Sequence, residues 1–146
     1  IVAVAPPDHP LCDGRALSLK DLEPYPLLIR ENGSGTRKAC EEYFKDKRVH
    51  FTTTLEVAAH EAQRESVLAG LGIALLTRHA VSLELATGQL KELPVAELPL
   101  YRSWCLVQAK DRRLSPVAHA LLAFIRTERA QISQLVERFD GRPLGT

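Results

Sequence analysis

The stretch that decides the fold is Ile29-Arg30-Glu31-Asn32-Gly33-Ser34-Gly35-Thr36-Arg37. The apolar run at residues 26–29 predicts a short buried strand, and two glycines then interrupt it. A helical pattern follows, because apolar residues recur three and four positions apart over residues 39–44. The first N–H groups of a helix have no internal partner and carry partial positive charge. The stretch therefore predicts a turn that can bind a phosphate or a carboxylate.

A capped helix that binds nothing is the simpler alternative for the same stretch. Ser34 or Thr36 would then be the N-cap, accepting a backbone N–H through its side-chain oxygen. In an anion site, the same two hydroxyls would donate to the ligand instead. Arg37 lies in the first turn, where the helix dipole repels a cation, and a bound anion would relieve that repulsion. Local chemistry leaves both interpretations open.

Composition limits the classes of function. The chain has 146 residues, enough for one domain or for one lobe and part of another. Its net charge of +1 provides no basic field for nucleic acid. No apolar run approaches the roughly 20 residues needed to span a bilayer. The three cysteines are dispersed without metal-ligand spacing, which favours a reducing cytoplasm and predicts neither a metal nor a cofactor.

The first two thirds of the chain alternate between strand and helix patterns. One helical turn is predicted at Ser18–Leu22, before prolines that end it. Strands are predicted at 1–5, 26–29, 51–57, 71–76 and, as an edge strand, 90–95, and helices at 35–47, 59–69 and 80–86. The run 71–76 is continuously apolar, which is typical of a strand buried on both faces. This alternation predicts an α/β sheet with helices packed against it.

The last third predicts a strand at Tyr101–Ala109 and then a long amphipathic helix. Ser115 and Pro116 are the preferred residues for an N-cap and a first helical position. Apolar residues follow at helical spacing as far as Phe139, and Gly141, Pro143 and Gly145 predict a loose tail. The chain begins inside an apolar run and contains no methionine, so we expect it to be part of something longer.

Five segments together resemble the effector-binding domain of LysR-type transcriptional regulators, in matching order and at matching intervals over about residues 1–126. They are APPDHPL (5–11), SLKDL (18–22), ENGSGTR (31–37), VLAGLGIALL (67–76) and RLSPVA (113–118). Within the family, the Gly-Ser-Gly-Thr-Arg form followed by a Leu-Ser-Pro helix is most similar to the regulators of Calvin-cycle (RuBisCO) operons.

The resemblance implies a two-lobed α/β fold, similar to type 2 periplasmic binding proteins, with the effector between the lobes. Residues 7–100 would form the complete second lobe. Residues 1–6 and 101–146 would supply two paired crossover strands (1–6 and 101–109) and the C-terminal part of the first lobe, leaving exposed apolar surface on the Ser115 helix. The winged helix-turn-helix, the linker helix and the first half of lobe one would be absent, so we expect no operator binding by this chain.

The resemblance also implies a sensing mechanism. A small anionic metabolite, phosphorylated if the finer resemblance holds, would bridge the lobes and shift their arrangement. The residues assigned to it are Gly33, Ser34, Gly35, Thr36, Arg37, Arg30 and His60, with no catalytic or metal-binding residue. For Arg30 and His60 the simpler interpretations are a surface ion pair and a solvent-facing or capping histidine. Family members form homodimers and then tetramers, and the lobe motion would change dimer geometry.

Two other classes stay open. A solute-binding protein of the transport type shares the two-lobed fold but would need a secretory signal upstream. An enzyme is the more remote alternative, because the five histidines are scattered and no nucleophile-elbow, zinc-protease or phosphate-loop motif occurs.

Overall fold

The computed structural model describes residues 1–103 and 105–139. The chain divides into two units, Ile1–Tyr101 and Arg102–Thr146. No helix within the described residues is long and apolar enough to cross a membrane.

The first unit is built on a five-stranded mixed sheet in the order β3-β2-β4-β1-β5. The strands are β1 Val2–Ala5, β2 Leu27–Arg30, β3 Thr54–Val57, β4 Ile73–Leu76 and β5 Lys91–Glu92. β2 runs parallel to both β3 and β4, with Leu27 opposite Thr54 and Ile73. β1 is antiparallel to β4 and β5. Every residue of β1 and β4 is buried, which confirms a strand covered on both faces at residues 73–76. Leu71, within the predicted run 71–76, is exposed and lies outside the strand.

Helices cover both faces of this sheet, as the alternating pattern predicts. The helices of the first unit are α1 Gly35–Lys47, α2 His60–Leu68 and α3 Ser82–Thr87. Leu27 belongs to one apolar cluster with Cys40 and Phe44 of α1. The next residue, Leu28, belongs to a second cluster with Val67 of α2. Since successive side chains of a strand point to opposite faces, α1 and α2 pack on opposite sides of β2.

The predicted elements of the first unit are confirmed, with shorter bounds for several of them. The turn after Ser18 is a 3-10 helix, Leu19–Leu22, closed by a capping box between Ser18 and Asp21. The threonine-rich strand begins at residue 54 rather than 51, and the edge strand keeps only two residues. The helix predicted at 80–86 is a 3-10 turn, Arg78–Val81, followed by α3.

The strand predicted at Tyr101–Ala109 is wrong, because residues 101–103 and 105–109 form no strand; Trp104 lies outside the described residues. A strand requires a partner with free backbone groups, and both edges of β1 are already paired with β4 and β5. The crossover strand expected at 101–109 is therefore not formed by residues 101–103 and 105–109. Just before this segment, the Ile1 amino group donates to the Leu100 carbonyl at 2.7 Å, and the Leu100 N–H donates to the Ile1 carbonyl at 2.9 Å.

The described residues of the second unit form two helices where one long helix is predicted. They are α4 Pro116–Thr127 and α5 Arg129–Phe139, separated at Glu128, whose backbone leaves the helical region at φ −90° and ψ 12°. The predicted start is confirmed, because the Ser115 hydroxyl accepts the Ala118 N–H at 3.2 Å. Large apolar side chains of α4 are exposed, as expected: Val117, Leu121 and Phe124. The predicted tail around Gly141 lies outside the described residues.

Candidate functional site

The turn between β2 and α1 has the backbone geometry that its glycines and hydroxyls predict. Gly33 adopts φ +90°, a left-handed conformation that glycine accepts without a steric penalty. Ser34 is the N-cap of α1, since its Oγ accepts the Arg37 N–H at 3.4 Å. The Ser34 N–H donates to the Glu31 carbonyl at 3.2 Å, which closes the turn. The capped-helix interpretation is therefore confirmed in this respect, with Ser34 rather than Thr36 as the cap.

Capping leaves two backbone donors of this turn unused. Among the described residues, no hydrogen bond is donated by the N–H of Gly35 or Thr36. Gly33 and Gly35 are exposed, and a Cβ added at either would meet no atom within 4 Å. The turn is thus open at the positive end of a 13-residue helix. Two unpaired amides at such an end can bind one oxyanion.

Arg37 already has anionic partners within the chain. Its guanidinium contacts Glu41 and Glu56 at 2.7 Å each, and its Nη1 donates to the Arg30 carbonyl at 3.0 Å. From the sequence, a bound anion is expected to relieve the repulsion between Arg37 and the helix dipole. In the structure the Glu41 and Glu56 carboxylates offset that repulsion, and the contact with Glu56 joins α1 to β3.

Parallel pairing brings the start of α2 to the same edge of the sheet as this turn. β2 and β3 run in one direction, so Arg30 lies opposite Val57 and the segments that follow both strands are neighbours. There the Arg30 guanidinium binds the Glu31 carboxylate through two hydrogen bonds of 2.7 and 2.8 Å. Arg30 is therefore in an ion pair, as its simpler interpretation predicts, with Arg30 14% and Glu31 38% exposed. The Ala59 N–H, just before α2, donates to the same carboxylate.

The charge of Glu31 is strongly stabilised by these donors. The Arg30 hydrogen bonds, its own backbone N–H and the Ala59 N–H together lower the pKa of Glu31 to about 2. The side chain of Ala59 cannot cap a helix, and Glu31 adds a second carboxylate at the N-terminus of α2, where Glu61 already lies in the first turn.

His60 is the first residue of α2 and lies beside this ion pair. Burial, and then the nearby Arg30 charge, lower the pKa of His60, so its imidazole is neutral at pH 7. Its Nδ1 is buried and has no hydrogen-bond partner among the described residues. His60 is half-buried, and the N-cap of α2 is Ala59 rather than His60. The neutral ring of His60 carries no fixed charge at pH 7.

The structure brings the predicted site residues to one edge of the sheet, and it adds Glu31 and Ala59, which the sequence argument did not assign. Glu31 stands within the deciding stretch, and a carboxylate directly after a strand residue Arg30 is the signal that could have identified it. No group of three or more His, Cys, Asp or Glu residues in the described part of the chain could hold a metal ion.

The carboxyl edge of parallel strands, where this turn lies, is where ligand-binding domains of the α/β class bind small molecules. Residues 1–130 match the family described as LysR substrate binding domain, and the chain belongs to that family. The RuBisCO operon transcriptional regulator of Allochromatium vinosum is 39% identical over 132 residues, covering 90% of this chain and 44% of the relative. The regulator CbbR of Xanthobacter flavus is 40% identical over 131 residues, covering 88% and 39%.

Solved structures agree with this assignment. The CcmR regulatory domain of Synechocystis PCC6803, solved in complex with 2-PG, is 30% identical with a TM-score of 0.77, covering 85% of this chain and 60% of that one. The fold is thus the type 2 periplasmic-binding-protein-like fold of LysR effector-binding domains. The chain spans less than half the length of the curated relatives named above.

Proposed function

We propose that this chain senses a small anionic metabolite for a cytoplasmic LysR-type regulator of transcription. The observation that carries the proposal is the open turn at Ser34–Thr36, where two amides without acceptors meet the positive end of α1. Neutral donors hold the anion there: the N–H groups of Gly35 and Thr36 and the Thr36 hydroxyl. Gly33 keeps the turn open, while Arg37, Arg30 and His60 provide the surrounding charge and polarity.

A phosphorylated metabolite is the class of ligand that this arrangement favours. The solved structure of the CcmR regulatory domain is a complex with 2-PG (2-phosphoglycolate), a molecule that carries a phosphate and a carboxylate. Phosphate oxygens suit the N-terminus of a helix because several N–H groups can donate to one group. The proposed ligand is therefore 2-phosphoglycolate or a metabolite of similar size and charge.

Residues 7–100 act in this proposal as the second lobe of a two-lobed domain, and the Arg102–Thr146 unit belongs to the first lobe. A ligand bound more tightly in one lobe arrangement shifts the population towards it. Homodimers or tetramers of the regulator convert that shift into altered DNA contacts, through a winged helix-turn-helix outside the residues of this chain.

The regulator is a better interpretation than the two alternatives. The named relatives are transcriptional regulators, which disfavours a solute-binding protein of the transport type. We assign no catalysis, since Glu31, the most perturbed carboxylate near the turn, is held ionised by Arg30 and is a poor general base at pH 7.

Titration of the 15N-labelled chain with 2-phosphoglycolate tests the proposal. We expect saturable shift changes in the amide spectrum that are largest at residues 33–36, with saturation in the millimolar range or below. Glycolate, which lacks the phosphate, is the control ligand at matched ionic strength and should bind more weakly. Changes that leave these four amides unaffected, or that grow linearly without saturation, would contradict the assigned site.

A further inference from the structure

Glu31 occupies donors that would otherwise suit an external anion. The fork of the Arg30 guanidinium and the Ala59 N–H converge on its carboxylate, the geometry in which proteins bind ligand carboxylates and phosphates. The Arg30 side chain is 14% exposed. The Glu31 carboxylate therefore occupies the Arg30 guanidinium, which a ligand anion could otherwise bind.

The backbone at Ala59 is held in a conformation that alanine rarely adopts. Its φ is +69° and its ψ is 151°, a region populated almost only by glycine. This conformation stores strain at the residue whose N–H donates to Glu31, directly before α2. Strain of this kind persists when surrounding contacts enforce it, and the Glu31 carboxylate is one such contact.

We propose that Glu31 is a resident competitor for the effector, and that a ligand anion displaces its carboxylate from Arg30 and the Ala59 amide. The inference rests on the function proposed above and adds a regulatory element to the same site. The Glu31 side chain is 38% exposed and lies beside the exposed residues Asn32 and Gly33, so it can move into solvent when it is replaced.

The need to displace the Glu31 carboxylate also affects ligands with one anionic group and ligands with two differently. A ligand with one anionic group gains the free amides of Gly35 and Thr36 but leaves Glu31 in place. A ligand with two anionic groups can occupy the turn with one and take the Arg30 fork with the other. Glu31 therefore weakens the binding of ligands whose second anionic group must take the Arg30 fork, and it does not affect monoanions that bind only the turn.

The test compares 2-phosphoglycolate affinity in Glu31→Gln and Glu61→Gln. Glu61 lies in the first turn of α2 and influences Arg30 through its charge, so both variants remove one negative charge from the same neighbourhood. Competition raises the apparent Kd in inverse proportion to the fraction of molecules in which the site is free. We therefore expect Glu31→Gln to tighten binding about fivefold or more, within the usual range of couplings. Glu61→Gln should change the Kd about twofold or less, because it alters only the local field.

Equal effects of the two variants, or weaker binding by Glu31→Gln, would overturn the competitor assignment. Glu31→Ser is the second variant; its shorter, uncharged side chain cannot contact Arg30 as Glu31 does. It should also lower the Kd for 2-phosphoglycolate. If 2-phosphoglycolate leaves the amides of residues 33–36 unaffected in wild type and all variants, the proposed function fails instead. If 2-phosphoglycolate shifts these amides but its Kd is the same with and without Glu31, only the competitor assignment fails.

Discussion

Gly72→Ala is expected to destabilise the Ile1–Tyr101 unit by about 3 kcal/mol, an overpacking cost at the upper end of its usual range. A Cβ at Gly72 would lie 2.3 Å from the Pro26 carbonyl oxygen and 3.1 Å from its carbonyl carbon. Both atoms belong to the backbone, so no side-chain rotation relieves the clash. The same oxygen accepts the Ile73 N–H at 2.9 Å, directly beside the first pair of β2 and β4.

Chemical denaturation of the full chain measures this cost, and Gly35→Ala is the matched control. Gly35 is the first residue of α1, and a Cβ there meets nothing within 4 Å. The control should therefore be neutral, or more stable by a few tenths of a kcal/mol. Comparable stabilities of the two variants would show that β2 and β4 do not approach each other as closely as described.

Phe44→Ala is expected to cost about 4 kcal/mol, within the range for removing a buried phenyl ring. Phe44 is buried on the inner face of α1, where its ring lies 5.0 Å from that of Phe51 at a tilt of 60°. It shares a cluster with Leu27, Ile73 and Leu75 of the sheet. Because the cavity left by the ring separates α1 from these strands, the open turn at the start of α1 should loosen as well.

Glu42→Ala, on the exposed face of the same helix, is the control for Phe44→Ala. Glu42 approaches Lys38 only at 4.0 Å, and exposed pairs of this kind contribute little. Its cost in denaturation should stay within about 0.5 kcal/mol. A loss of less than about 1 kcal/mol for Phe44→Ala would mean that this ring does not anchor α1 to the sheet.

Local signals were sufficient for much of the first unit. Gly33 and the Ser34 cap define a turn whose cause lies within a few residues, so α1 could be predicted with its observed bounds. The buried strand 73–76 could be predicted because a short run of successive apolar side chains is typical of a strand covered on both faces.

Features that depend on distant partners could not be predicted. The segment 101–109 has β-prone composition, but a strand also needs a neighbour with free backbone groups, and composition does not reveal one. Glu31 meets Ala59 only because β2 and β3 pair in parallel, a contact between residues 28 positions apart (59 − 31). The ion pairs of Arg37 with Glu41 and Glu56 were likewise missed, although the spacing from Arg37 to Glu41 is a helical one.

The most direct measurement of the central claim compares 2-phosphoglycolate affinity in Gly35→Pro and Gly35→Ala. Proline is well tolerated at the first position of a helix, so Gly35→Pro removes one backbone donor of the turn while preserving α1. Gly35→Ala adds a Cβ in open space and keeps the donor. If the anion binds these amides, Gly35→Pro should lose about tenfold or more in affinity and Gly35→Ala about twofold or less. Equal affinities of the two variants would contradict the account.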